Sequence, residues 1–94
     1  MSLVVSGQKA VTAAGTEEAL GSQAINGPIM VKAHPTNTGY IYIGKIADGT
    51  VSSFTGFILS AGQVIIFDWV ANLADLMVDS SVNGEGVSWI LLNV

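Results

Sequence analysis

Residues 29–43, IMVKAHPTNTGYIYI, contain the pattern that decides the fold. Five mostly apolar residues lead into a loop that holds two structure breakers, Pro35 and Gly39. Aromatic and aliphatic residues then alternate from 40 to 43. Because β-branched and aromatic side chains favour extended backbone, whereas proline and glycine interrupt it, the stretch predicts two short strands joined by a loop.

Similar short apolar segments recur on both sides of this stretch, separated by small and polar residues. They predict further strands at 9–12, 18–20, 54–59, 64–67, 76–79 and 87–92. A turn is predicted at Asn26-Gly27-Pro28, and residues 80–86 predict a hairpin because they contain an Asn-Gly pair. Only residues 68–75 could hold a helical turn.

The fold class follows from the number and spacing of these segments. Seven to nine short strands, spaced by about 8–12 residues, predict an all-β fold, a single antiparallel β-sandwich that is jelly-roll-like. The sandwich is expected over residues 8–94. Residues 1–7 are either an N-terminal arm, with a hinge at Ser6-Gly7 and strand addition to a neighbouring subunit, or the first strand of the domain's own sheet.

Charged residues are scarce in this chain. They make up 11% of it, whereas 50% of the residues are hydrophobic and the mean hydropathy is +0.58. A soluble monomer carries about 25–35% charged residues on its surface. Strands such as 89–92 are apolar on both faces, which favours a strand covered by other protein on both sides. The alternative is a central strand that exposes one apolar residue to solvent. The composition therefore predicts a surface covered by uncharged polar residues and by other protein chains.

The same composition argues against several classes of partner. Three lysines and a net charge of −4 cannot neutralise several phosphates, so neither nucleic acid nor an anionic membrane is expected as a partner. Residues 49–67 are uncharged, but their glycines, serines and Gln63 do not suit a membrane-spanning helix. The absence of cysteine excludes disulfides and thiolate metal sites.

Residues suited to catalysis are few. His34, the one histidine, precedes a proline, and no Gly-x-Ser-x-Gly motif accompanies it, so a solvated or capping role is expected. Asp75 and Asp79 would share a strand face and could bind calcium, but without an Asp-x-Asp-x-Asp-Gly loop they are interpreted as solvated strand-edge charges. Glu17 and Glu18 are interpreted as an exposed rim. No catalytic residue, cofactor or metal is predicted, and the protein is not expected to be an enzyme.

Four aromatic residues leave two interpretations open. Tyr40, Tyr42, Trp69 and Trp89 could line a carbohydrate-binding face. With one or two per strand, they are more simply interpreted as core and cross-strand packing.

Part of the chain resembles small virion proteins of tailed bacteriophages. The resemblance covers residues 28–92 and rests on the strand–turn–strand pattern at 32–44, on 56–63 and 72–74, and on the closing segment 86–91. Ala61 and Gln63 stand where that pattern usually has proline and glutamate.

The resemblance implies a capsid decoration (cement) protein or another head accessory protein. Such proteins have sandwich or jelly-roll-like folds, form trimers or dimers, and clamp the major capsid protein. A virion location on the capsid surface, after assembly in the host cytoplasm, is the corresponding expectation. A tail, neck or fibre-associated virion component and a carbohydrate-binding β-sandwich module are the alternatives.

Overall fold

The strand predicted at residues 29–33 is the second half of a ten-residue strand inside one of two sheets. The structure, a computed structural model, describes residues 6–45, 51 and 56–92. In these residues the chain forms eight strands: β1 (Ser6–Ala10), β2 (Glu18–Ala19), β3 (Ala24–Ala33), β4 (Ile41–Lys45), β5 (Phe57–Leu59), β6 (Val64–Asn72), β7 (Leu76–Ser80) and β8 (Gly86–Leu91).

The described strands form two antiparallel sheets of four strands each. Sheet 1 has the order β1-β8-β3-β6 and sheet 2 the order β2-β7-β4-β5. The first strand therefore lies beside the last, because β1 pairs with β8. The other pairs are nested inside this one along the chain: β2 pairs with β7, β3 with β6, and β4 with β5. This nested pairing is that of a jelly roll. The predicted all-β antiparallel sandwich is confirmed.

Alternation along β3 sets the inner and outer sides of sheet 1. Ile29, Val31 and Ala33 are fully buried, whereas Met30 and Lys32 between them point to the opposite side. Sheet 2 supplies the facing layer of the core, formed by Ile41, Ile43, Leu59, Leu76 and Val78. The core thus fills the space between the sheets and leaves each sheet an outer side.

One edge of the sandwich is joined by an ion pair. The edge strand β1 carries Lys9 and the edge strand β2 carries Glu18, and Lys9 Nζ lies 2.8 Å from Glu18 Oε1. Both residues pair with neighbours whose side chains enter the core, Val87 and Val78, so both point inward. Inward-pointing charges on edge strands discourage pairing with another chain. Glu18 is therefore an inter-sheet contact, and the predicted rim role is wrong for it.

The predicted turn at Asn26-Gly27-Pro28 is wrong. These residues lie inside β3, where the register with β6 shifts between Ala24 and Gly27 and again between Gly27 and Ile29. Asn26 has φ 45°, a left-handed conformation that asparagine tolerates. Proline has no N–H to donate to a neighbouring strand, so it fits an inner strand only where a bulge interrupts the ladder of hydrogen bonds. The turn signal therefore marks a place where β3 has one extra residue at positions 25–26 and β6 has one extra residue at positions 68–69.

The predicted hairpin over residues 80–86 is also wrong. β7 belongs to sheet 2 and β8 to sheet 1, so the segment between them crosses the sandwich. Asn83 Oδ1 accepts the N–H of Ala14 at 2.7 Å, and the carbonyl of Glu85 accepts the N–H of Val11 at 2.9 Å. Gly84 takes the positive φ of 81° that the tight path requires. The Asn-Gly pair makes a turn, but the turn changes sheets.

The helical turn predicted within residues 68–75 occupies only Leu73–Asp75, as one turn of 3-10 helix. The strand β6 runs on to Asn72, whose side chain caps the turn by accepting the N–H of Ala74 at 2.9 Å. No helix in the described part of the chain is long and apolar enough to cross a membrane.

Of the segment 1–7, the structure describes only Ser6 and Gly7, and both belong to the domain's own first strand. Ser6 and Gly7 are no hinge, since they pair with Ile90 and Trp89 in β1. The predicted arm, residues 1–5, lies outside the described residues.

Candidate functional site

The outer side of sheet 1 carries a cluster of apolar side chains, of which four are exposed and one, Met30, is half-buried. Buried residues alternate with them along β8 and β3, and half-buried Ile65 and Phe67 alternate with them along β6. The cluster, called the apolar face below, consists of Met30, Val64, Ile66, Ile90 and Leu92. Contiguous apolar patches on soluble proteins mark interaction sites when they exceed a few hundred Å². The apolar face is therefore the candidate functional surface.

Strand register brings three of these residues into one row across adjacent strands. Met30 pairs with Ile90 on one side and with Ile66 on the other. Directly opposed residues in a sheet lie about 4.5–5.5 Å apart, so the three side chains form a continuous strip. A shallow depression of about 170 Å³ borders this strip beside Lys32 and Ser88. The strip and the depression together form an uneven apolar surface against which a partner's side chains can pack.

The outer side of sheet 2 is different because the chain itself covers much of it. Tyr42 and Asp79 pair with each other there, and both are buried. Gly15, in the loop between β1 and β2, donates its N–H to Asp79 Oδ1 at 3.0 Å. Val51 is also buried and lies against Gly44, so tightly that a Cβ there would be 2.9 Å from its Cγ2. Sheet 1 is thus the sheet whose outer side the described residues leave open.

The acidic residues mostly hold loops together. Five of the seven carboxylates accept a backbone N–H: Glu17 from Val51, Glu18 from Thr12, Asp75 from Asn72, Asp79 from Gly15, and Glu85 from Thr38. Asp48 lies outside the described residues, and Asp68 lies on the outer side of sheet 1. Five of the carboxylates are therefore held in place by contacts within the chain.

Two of these carboxylates have a lowered pKa. Hydrogen bonds from the backbone N–H groups of Thr38 and Gly39 lower the pKa of Glu85. The hydrogen bond from the Lys9 ammonium, followed by the N–H of Thr12, lowers the pKa of Glu18. In both cases the folded state favours the charged form, so protonation weakens a loop contact.

Stability is accordingly expected to fall on acidification. A carboxylate whose pKa is lower in the folded state stabilises the protein above its unfolded pKa, about 4.3 for glutamate, and loses that contribution as the pH falls through the folded value. We expect Glu85→Gln to be less stable than the wild type at pH 7, with the difference shrinking between pH 5 and pH 3. Urea unfolding at a series of pH values measures this, and a difference that stays constant over the range would contradict it.

The residues considered for catalysis are not brought together. Within the described chain, His34 Nε2 is buried and has no hydrogen-bond partner. Asp75 lies in the 3-10 turn before β7, so it shares no strand face with Asp79. Asp79 is 2% exposed and β7 is an inner strand, so its interpretation as a solvated edge charge is wrong. No group of three potential metal ligands occurs among the described residues.

The four aromatic residues do not form one platform. Tyr42 and Trp89 are buried, whereas Tyr40 and Trp69 are 51% and 64% exposed. Tyr40 lies before the start of β4, and Trp69 lines a cleft at the far end of that strand. Five strand residues separate these ends by roughly 16 Å, so one sugar ring cannot contact both side chains.

The cleft lies between the sheets on the side of edge strands β5 and β6. Its volume is about 500 Å³, and Phe57, Phe67 and Trp69 give it an aromatic lining. Its residue Lys45 directly precedes segment 46–50, which is outside the described residues, and Phe57 lies two residues after segment 52–55, which is also outside them. The apolar face, in contrast, consists of described residues throughout.

Fold and surface together define an eight-stranded jelly-roll sandwich, in its described residues, with one open apolar sheet face. No protein-family model matches this sequence, and neither a characterised protein nor a solved structure matches it.

Sequence reasoning did not single out Met30, Ile66 or Ile90. The sequence pattern that indicates them is a pair of consecutive apolar residues within a strand, which places one apolar side chain on each face of the sheet, as in Ile65-Ile66 and Trp89-Ile90. That signal predicted a covered surface, but the row across three strands follows only from the register.

Proposed function

We propose that this protein is a structural virion component, a decoration (cement) protein that stabilises a bacteriophage head. It would do so through contacts with the major capsid protein and with its own copies. The observation that carries the proposal is the apolar face, in which Ile66, the most exposed member, is 53% exposed in the isolated chain. Covering such a surface by neighbouring subunits removes apolar area from water, which contributes about 25 cal/mol per Å² toward offsetting the entropy lost on association.

Two further features support an assembly role. The jelly roll is a frequent architecture of viral capsid domains, although it also occurs in lectins and cupins, so the fold alone does not assign the function. The resemblance of residues 28–92 to small phage virion proteins points in the same direction.

The distribution of charge also suits this role. The chain has a net charge of −4, so it repels packaged nucleic acid. Most of its carboxylates are engaged in contacts within the chain, as described above, and the central row of the apolar face, Met30, Ile66 and Ile90, contains no charge that a partner would have to desolvate. The protein is thus proposed to reside on the virion surface after assembly in the host cytoplasm.

Cosedimentation with phage heads tests the proposal. Purified protein is mixed with expanded heads that lack it, from the phage that encodes it, and the heads are pelleted. We expect saturable binding at a simple ratio to the capsid subunits, and no additional binding to heads that are already decorated. Folded protein that stays in the supernatant with undecorated heads would overturn the proposal. Imaging of decorated particles separates a head location from a tail, neck or fibre location.

A further inference from the structure

Two opposite charges flank the apolar row at symmetric positions. Lys32 lies in β3 two residues beyond Met30, in the row that contains Ser88 and Val64. Asp68 lies on the other side of the row: it follows Phe67, which pairs with Ile29, and together with Trp69 it stands opposite Pro28, where β6 has one residue more than β3. Leu92 continues this second row, since its N–H donates to the Pro28 carbonyl at 2.9 Å.

Neither charge is paired within the described residues. Both side chains belong to exposed residues, and the ion pair found in this part of the chain joins Lys9 and Glu18 instead. An exposed lysine and an exposed aspartate thus stand on opposite flanks of an uncharged strip.

We propose that the apolar face binds a second copy of this chain, face to face, about a two-fold axis along the Ile90–Met30–Ile66 row. Such an axis reverses the strand direction and exchanges the two flanking rows. Lys32 of each copy then lies beside Asp68 of the other, while the apolar row packs on its own counterpart. The inference rests on the proposed function in that it names one partner of that assembly.

Self-complementary charge favours a second copy over an unrelated partner. A two-fold interface brings the same patch together twice, so a patch with charge of a single sign would repel itself. Here the two-fold axis places Lys32 of each copy beside Asp68 of the other, so the dimer contains two ion pairs between subunits. The apolar row lies at the centre, and Gln8, Ser6 and Ser88 supply a polar flank on the β1 side.

The dimensions of the sheet set the expected affinity. Four strands about 4.8 Å apart and three rows about 6.8 Å apart give a face of roughly 400 Å². A standard interface buries about 800 Å² on each partner, so this contact belongs with the small, weak interfaces. We expect a dimer with a dissociation constant in the micromolar range, with the two sheets crossing at about −30° because of their twist.

Sedimentation equilibrium of the purified full chain, from about 1 to 500 µM, measures the association. A monomer–dimer equilibrium is expected for the wild type. Ile66→Asp is expected to abolish it, whereas Ile58→Asp is the matched control, because Ile58 is 49% exposed on the edge strand of the other sheet. Circular dichroism checks that both variants fold. A wild type that stays monomeric, one that forms trimers, or a dimer that only Ile58→Asp disrupts would each overturn the inference.

Charge reversal tests the two-fold arrangement without disturbing the apolar row. Lys32→Glu and Asp68→Lys are each expected to weaken the dimer roughly tenfold or more, because each places like charges together. The double variant is expected to recover to within about threefold of the wild type, since it restores both pairs with reversed polarity. A double variant as weak as the sum of the two single changes would overturn the proposed axis.

The two proposals fail separately. A protein that binds heads but remains monomeric refutes only the dimer, whereas one that dimerises through the apolar face but ignores heads refutes only the virion role.

Discussion

Gly86→Ala is expected to destabilise the protein more than any other single-methyl change in the described chain. A Cβ at Gly86 would overlap the carbonyl oxygen of Lys9 and lie 2.7 Å from the Cα of Ala10. Both atoms belong to the backbone of β1, so no side-chain rotation relieves the clash. β8 cannot move away either, because the Gly86 carbonyl accepts hydrogen bonds from the His34 N–H and the Asn37 side chain.

We expect a loss of about 3 kcal/mol or more, above the usual 1–3 kcal/mol for overpacking, out of a total stability of about 5–15 kcal/mol. The change should detach β1 and redden the fluorescence of Trp89, whose ring lies against Gly7 of that strand. Urea unfolding followed by tryptophan fluorescence measures both effects.

Gly84→Ala is the matched control for this prediction. Its φ of 81° disfavours alanine by about 1–2 kcal/mol, but nothing lies within 4 Å of the added methyl group. A Gly86→Ala variant no less stable than Gly84→Ala would contradict the close approach of β8 to β1.

Asp79→Ala is the second change expected to have a large effect. The sequence suggests a solvated charge of little consequence, but the buried carboxylate accepts the N–H groups of Gly15 at 3.0 Å and of Ser80 at 2.8 Å. Alanine would leave both donors without this partner and release the loop that covers sheet 2. We expect a loss of about 2–4 kcal/mol in the free energy of unfolding, measured by urea denaturation at a protein concentration near 1 µM.

Two variants make this result specific. Asp79→Asn keeps an oxygen acceptor in nearly the same place and should cost less than alanine. Asp68→Ala removes an exposed aspartate and should change the stability of the monomer by no more than about 0.5 kcal/mol. Equal effects at Asp79 and Asp68 would show that Asp79 is not a buried anchor.

Strands were predictable where local pattern and tertiary structure agree. Residues 40–43 alternate between aromatic and β-branched side chains, and β4 lies within one or two residues of the predicted bounds. Residues 29–33 also form a strand that ends where predicted, although β3 begins five residues earlier, at Ala24. Local signals failed where tertiary pairing outweighs them. Asn26-Gly27-Pro28 has the composition of a turn, yet pairing with β6 absorbs it as bulges.

The jelly roll brings together strands that are distant in sequence, which limits any sequence-based prediction of the surface. Ile90, Met30 and Ile66 become neighbours only because β8 and β6 lie on either side of β3. Charge scarcity predicted that some of the surface would be covered by protein. It could not indicate which sheet, because the loop that covers sheet 2 is anchored by Asp79, a residue with no local sign of burial.

Methionine oxidation tests the central claim, that partner subunits cover the apolar face in the assembled state. Met30 lies in the apolar row, and Met77 lies on the outer side of sheet 2, opposite Gly44; both are half-buried in the isolated chain. Peroxide converts accessible methionine to the sulfoxide, which mass spectrometry quantifies residue by residue. The oxidation rate of each methionine is compared between dilute protein and head-bound protein. We expect head binding to slow the oxidation of Met30 several-fold more than that of Met77. Protection of Met30 no greater than that of Met77 would contradict the claim.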